Sequence, residues 1–380
     1  MINIAMIGAG ATGKRYAQHL SATGQAEVAG ICGENGEAAA ELAEQCGCRV
    51  FSAFEALIES LPPGSVLVFT GASDSRRRNI LHALETGYHV ITEMPAACRP
   101  EELQEMLAAR TSRSRLLFTN PGRFAHHNTD LRKRIAAGTI GSLGVINVKR
   151  YCPLTLLPED QEQRRHACRS HAFEPGLTEA AWASGIRWTG GLREDQGEER
   201  PGGALYRLAL QDIDILRWIA GEAASVYAMR TASERLDYIL ATIKFRNGAI
   251  ANLEAYWGYP GEYASAAEYA GSGGVIRYDS RKTDALHLYK YAEAEVHPGH
   301  RGFSPSFRNP EYADLLHLLD CIKEGREPVT AAEDALETMN LAWAASQSIR
   351  TGLPVEPVSC APADASSASS GGRRGGGDNA

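Results

Sequence analysis

The sequence predicts two domains: an α/β domain built on a doubly wound parallel sheet, then an α+β domain whose mostly antiparallel sheet is open on one face. Three observations lead there. From residue 1 to about 120, short apolar strands alternate with helical stretches, the pattern of successive βα units. The pattern then changes to longer β-rich segments, with Asn247-Gly248 as a hairpin turn. At the very start, the strand Ile2 to Ile7 runs into Gly8-Ala9-Gly10-Ala11-Thr12-Gly13 and then into a helix-competent stretch.

That glycine pattern, placed between a strand and a helix, is a nucleotide-binding turn of the Rossmann type. Gly8 permits the tight turn, Gly10 leaves room for a pyrophosphate, and Gly13 lets the helix pack close to the strand. Ala11 and Thr12 open the helix, whose unpaired N–H groups face the phosphates. Further strands are expected at Glu27 to Cys32, Ser65 to Thr70, Tyr88 to Thr92 and Arg115 to Thr119. Helices are expected at Glu37 to Gln45, Asp74 to Thr86 and Pro100 to Arg110. The dinucleotide-binding domain is assigned to residues 1–122.

A helix over Asn128 to Ala137 opens the second domain, residues 123–357, which carries substrate and oligomer contacts. Its strands are Leu143 to Tyr151, Ala224 to Arg230, Asp237 to Phe245, Ala249 to Trp257, Ala266 to Ala270 and Gly274 to Asp279. Helices over Ala204 to Ala220 and Tyr312 to Lys323 are assigned to this sheet, and Ala332 to Thr351 closes it. The strands outnumber the helices that could cover them, so a homodimer or homotetramer built on the open face is expected. The polar stretch Cys152 to Gly203 reads as a long loop at the site, and 358–380 as a disordered tail.

Composition narrows the function classes. At 380 residues, 44% hydrophobic and a net charge of -7, the chain can bury two cores and carries no nucleic-acid footprint. No apolar run approaches the roughly 18 residues of a membrane span, and Met1 leads straight into a core strand, so a cytoplasmic protein with a small-molecule substrate is expected. Eight cysteines are too sparse for a disulfide scaffold. Cys46-Gly47-Cys48 lacks a second pair at zinc spacing, and His166, Cys168 and His171 have no framing carboxylate, so no metal is expected.

Glu34, just after the second strand, is one place later than the acid that usually binds the ribose 2′-hydroxyl, and no basic residue follows closely. The cofactor is therefore NAD or NADP, with NAD favoured.

The chain resembles the glucose-fructose oxidoreductase, inositol dehydrogenase and MocA family (Gfo/Idh/MocA) over about residues 2–357. The resemblance rests on the Gly8 to Gly13 turn, Glu93-Met94-Pro95, Arg123-Phe124, Gly202-Gly203-Ala204-Leu205 leading to Asp212-Ile213-Asp214, and Ile322 to Pro328. It implies a nicotinamide-dependent oxidoreductase, with Glu93 and Met94 at the nicotinamide end and Arg123 and Asp214 beside the substrate. It also implies departures. The family's lysine is Met94 here, its aspartate and histidine are Arg207 and Gln211, and a further substrate-edge histidine is Arg76.

Arg207 and Gln211 stand four apart, so they share a helix face with Asp214 beside them. A polar stripe persists, but Gln, Arg and Met do not exchange protons near neutrality. Tyr206, Asp212 or water would have to supply the proton for a sugar or cyclitol ketone, whereas an imine or iminium needs little proton transfer at carbon. Arg207 has a structural alternative, an ion pair with Asp212 or Asp214, and Arg76 to Arg78 an alternative as a solvated surface helix. A cofactor-binding regulatory homologue and a non-redox enzyme using bound NAD remain as other readings.

Overall fold

A computed structural model describes residues 1–33, 35–71, 75–153, 203–233, 236–282, 286–290, 299–303 and 309–358. Glu34, the metal-candidate stretch His166 to His171, most of the Cys152 to Gly203 loop and the tail beyond Val358 lie outside them. The first domain is the expected doubly wound sheet. Its strands are β1 (Ile2–Ile7), β2 (Ala26–Cys32), β3 (Arg49–Phe51), β4 (Val66–Phe69), β5 (His89–Glu93) and β6 (Leu116–Thr119). They pair in parallel in the order β3-β2-β1-β4-β5-β6, so the order reverses at β1 and β4, where open α/β sheets place their ligands.

Helices α1 (Ala11–Ala22), α2 (Gly36–Cys46), α3 (Phe54–Ser60), α4 (Arg76–Glu85) and α5 (Pro100–Ala108) connect these strands. The short β3 and α3 were not legible, because three and seven residues give too little periodicity to separate from a loop. Val66, Leu67, Val68 and Phe69 are all buried, as a strand covered on both faces requires.

After α6 (His126–Ala136) comes β7 (Leu143–Cys152), then α7 (Leu210–Ala220) and strands β8 (Ala223–Ser233), β9 (Leu236–Phe245), β10 (Ile250–Trp257), β11 (Ala264–Gly271), β12 (Gly274–Asp279), β13 (Leu286–Lys290) and β14 (Gly299–Phe303). Among the described residues they form one eight-stranded sheet, β14-β13-β12-β11-β7-β10-β9-β8. All neighbours are antiparallel except β7 and β10, which run parallel. The Asn247-Gly248 turn joins β9 to β10 as expected, with Gly248 at φ 92° and Asn247 Oδ1 accepting from Ala249 N–H at 3.0 Å. One sheet face alternates inward as Ile146, Val148 and Cys152 on β7 and Leu253, Ala255 and Trp257 on β10. The opposite face carries exposed Val145, Met229 and Ile250.

One helix departs from its expected partner. α8 (Pro310–Glu324) buries Leu315, Leu318, Leu319 and Cys321 in the same core as Ile4, Met6, Tyr16 and Leu20 of the first domain. The chain returns to the dinucleotide sheet late, and no local pattern could reveal which sheet an amphipathic helix would choose. α9 (Ala332–Thr351) packs against β8, α7 and α5 together, tying the two domains.

Candidate active site

The glycine turn has the shape that a dinucleotide needs. Gly8 sits at φ +109°, and a Cβ there would stand 2.2 Å from the Thr70 carbonyl oxygen. A Cβ on Gly13 would stand 2.3 Å from the Gly8 carbonyl oxygen, so α1 and β1 approach as closely as backbone permits. Gly10 is the opposite case: nothing lies within 4 Å of its would-be Cβ. It is the N-cap of α1, and no side chain caps that helix. Open space before uncapped amides, with exposed Ala11 beside it, is a cradle for an anionic group, and a dinucleotide pyrophosphate fits it. Bound there, a nicotinamide cofactor supplies or accepts hydride.

At the end of β5, Glu93 accepts the Gly71 N–H at 3.2 Å. Burial raises the Glu93 carboxyl, and nearby Arg76, the Gly71 amide and Arg15 only partly pull it back. Met94 follows, buried with Ala96 and Ala97 in the core. Arg76 is not the solvated residue that was one reading of the Arg76 to Arg78 run. It is 8% exposed and donates to the Gly71 carbonyl at 2.8 Å, Thr92 Oγ1 at 2.5 Å and the Glu93 carbonyl at 3.0 Å. Arg76 thus ties the loop after β4 to the end of β5.

The helix expected from Ala204 begins instead with one π turn, Leu205–Ala209, before α7. Its start is held by Asp237 of β9, which accepts the Ala204 N–H at 2.7 Å and is gripped by Arg230 at 2.7 and 3.0 Å. Gly203, at φ +74°, must be glycine, because a Cβ would stand 2.1 Å from that carboxylate. Arg207 and Gln211, both half-buried, follow on one face as expected. The Arg207 guanidinium lies 5.4 Å from the Trp257 ring centroid. Burial lowers Arg207 from its ordinary value while Asp237 supports its charge.

Neither aspartate pairs with Arg207 as the structural alternative held. Asp212 accepts two bonds from Arg150 of β7, both at 2.6 Å. Asp214 accepts from Asn120 Nδ2 at 2.5 Å, Arg123 Nε at 2.8 Å, Arg123 Nη2 at 2.7 Å and Thr338 Oγ1 at 3.1 Å. The substrate role expected of Arg123 and Asp214 is thereby corrected: both are buried and spend their polar atoms on each other and on the joint with α9. Asp212 as a free proton donor is corrected likewise, because its carboxylate is locked in a bidentate pair.

Tyr206 is 2% exposed, and its hydroxyl has no hydrogen-bond partner among the described residues. Burial first, and the nearby Cys98 second, push its phenol upward, so it holds its proton across the working pH range. The sequence reading missed Arg150, Asp237 and Trp257, whose side chains reach the helix from strands remote in sequence, and Tyr263, whose hydroxyl accepts from Arg150 at 2.6 Å. A polar residue at an inward position of an alternating strand, such as Arg150 after Ile146 and Val148, was the available signal.

Among the described residues there is no group of three or more potential metal ligands and no helix long and apolar enough to cross a membrane. Comparison with known proteins matches the profile of the oxidoreductase family with an NAD-binding Rossmann fold to residues 2–120, and its C-terminal alpha/beta domain to residues 166–356. A scyllo-inositol 2-dehydrogenase (NAD(+)) of Bacillus subtilis is 25% identical over 183 residues, covering 44% of this chain and 53% of that protein. A D-glucoside 3-dehydrogenase of Escherichia coli is 29% identical over 151 residues, covering 39% and 43%. The aligned stretches thus span about half of these relatives. A solved levoglucosan dehydrogenase in complex with NADH and L-sorbose superposes with a TM-score of 0.76 at 18% identity, over 94% of this chain and 99% of that one. With both family domains present in order and the cradle intact, the chain belongs to the Gfo/Idh/MocA oxidoreductase family and opens with its NAD-binding Rossmann domain.

Proposed function

We propose that the protein is a nicotinamide-dependent dehydrogenase of small polyhydroxylated substrates, of the sugar or cyclitol class, with an atypical proton-handling site. The observation that carries this reading is the juxtaposition of two surfaces. Met94, Ala96 and Ala97, which follow the Rossmann strand β5, share one continuous core with Leu205 and Tyr206, and Tyr206 lies close enough to Cys98 to feel its charge, which supports putting the Arg207 and Gln211 stripe against the end of β5. Gln211 offers both a donor and an acceptor and Arg207 only donors, a set suited to hydroxyl groups and to an anionic substituent on the ring. The inositol and glucoside dehydrogenases among the relatives are named for ring polyols.

The test is turnover. Purified protein is offered NAD+ and NADP+ with scyllo-inositol, levoglucosan and methyl glucosides, and NADH or NADPH with the matching ketones and a cyclic imine, while reduced-nicotinamide absorbance is followed. Turnover on a ring polyol or its ketone is expected, with NAD preferred. Turnover confined to the imine would replace the substrate class, and saturable cofactor binding with no turnover on the whole panel would point to a regulatory homologue. We also propose a homodimer or homotetramer through the open sheet face, where Val145, Met229 and Ile250 stand exposed on the same face as the aromatic row Tyr151, Tyr238 and Tyr256.

A further inference from the structure

Resting on that reading, we propose that Tyr263 is the proton donor and acceptor of the reaction, held and charge-supported by Arg150, which Asp212 in turn anchors. The three side chains form an unbroken chain of short contacts. Arg150 Nη1 donates to Tyr263 Oη at 2.6 Å, while Nε and Nη2 donate to the two Asp212 oxygens at 2.6 Å each. Asp212 is the residue after Gln211, so the network hangs from the same helical turn as the polar stripe.

Register places Tyr263 where the chemistry would need it. In the sheet, Arg150 faces Ser265 of β11 and Ala255 of β10, and Cys152 faces Trp257. Tyr263 immediately precedes Ala264, which pairs with Tyr151, and its hydroxyl meets inward-facing Arg150, which puts it at the Cys152 end of the inward face. Trp257, the ring under Arg207, flanks Cys152 on the other side. At about 4.8 Å per strand, Trp257 and Tyr263 stand roughly 10 Å apart along this end of the sheet, the breadth of one hexose-sized ring with its substituents.

The physical case is a comparison of two tyrosines. Tyr206, adjacent to the stripe in sequence, has its hydroxyl in an apolar pocket that penalises phenolate. Tyr263 receives a hydrogen bond from a guanidinium that stays charged: burial opposes the Arg150 charge, but Asp212 and Tyr263 more than restore it. A cation aimed at a phenol oxygen stabilises the negative charge that appears there when the proton leaves. Among the described residues, the titratable groups around the cluster include Tyr278 and Asp279 of β12, Tyr269 of β11 and His127 of α6, the last stacked on Tyr278 at 4.0 Å between ring centroids.

In the reducing direction, the substrate carbonyl carbon gains the hydride supplied by the reduced nicotinamide. Its C=O π bond opens, the oxygen takes the Tyr263 proton, and solvent reprotonates the phenolate. Oxidation runs the same exchange backwards.

The test uses full-length Tyr263→Phe, which keeps the ring and removes the hydroxyl. General acid–base catalysis contributes about 10² to 10⁴-fold, so kcat on the fastest compound of the polyol and ketone panel should fall by about that factor, with KM, NADH affinity and melting temperature little changed. The pH limb of kcat seen in the wild type should vanish. Wild-type kcat and pH profile in Tyr263→Phe would overturn the assignment, as would a loss of kcat that merely tracks a fall in melting temperature. If the wild-type protein turns over nothing, the dehydrogenase reading itself fails, and tyrosinate absorbance during alkaline titration decides separately. An ionisation step preceding those of the other tyrosines and lost in Tyr263→Phe supports the assignment; superimposable titrations of the two proteins overturn it.

Discussion

Replacing Asp214 by Ala should destabilise the protein without touching its specificity, and the size of the effect follows from the local geometry. Asp214 is 0% exposed and is the acceptor for four donors, two of them on Arg123, itself 2% exposed. Removing the carboxylate leaves a buried guanidinium with the Val329 carbonyl at 2.9 Å and with Asp334, whose side chain is 32% exposed and partly solvated. Breaking a buried pair from one side costs about 3 to 5 kcal/mol. At about 2 to 4 °C per kcal/mol for a domain of this size, calorimetry should record a fall of roughly 6 to 20 °C. Replacing both members, with Asp214→Leu and Arg123→Met, should recover most of that loss, because no uncompensated charge is left behind. Turnover well below the melting temperature should keep its KM. A melting shift under about 2 °C, or a KM rise at unchanged stability, would refute the structural role and return Arg123 and Asp214 to the substrate.

Other outcomes follow from the same structure. Gly10→Val should abolish NAD binding measured by calorimetry yet leave the melting temperature in place, since the added side chain meets open space in the free protein; Gly8→Ala should instead lower stability, because its Cβ collides with Thr70. Arg207→Ala should weaken an anionic substrate by roughly tenfold to hundredfold in KM, the worth of one charge-assisted contact at about 1.5 to 3 kcal/mol, with little change for a neutral polyol. Acid should unfold the protein partly through His317, whose Nε2 accepts the Val329 N–H at 3.0 Å and so must be unprotonated. Burial and then Arg326 hold this imidazole below its ordinary value, so its stabilisation is complete above pH of about 6.5 and fades as pH falls beneath it. His317→Gln should flatten the melting temperature between about pH 7 and 5, and parallel curves would count against the contact. Light scattering should find a dimer or tetramer that Ile250→Glu dissociates, whereas a wild-type monomer at micromolar concentration would end the open-face proposal.

Much of the architecture was written in short stretches of sequence, because the interactions responsible are local. The Ile2 to Ile7 strand, the Gly8 to Gly13 turn and the Asn247-Gly248 hairpin each depend on backbone freedoms and periodicities contained within a few residues, so they could be read without the rest of the chain. Tertiary structure decided the rest, because pairing partners and burial depend on elements far apart in the chain. Arg76 reads as the start of a surface helix until β4 and β5 close over it. Asp212 and Asp214 lie two residues apart and look alike, yet one is drawn to Arg150 on the second sheet and the other to Arg123 at the joint with α9. The periodicity of α8 showed that it had a buried face but not that the face would join the first domain's core. Local order follows from a residue and its near neighbours, whereas the partner of a charge is chosen by whichever strand or helix packing brings within hydrogen-bond reach.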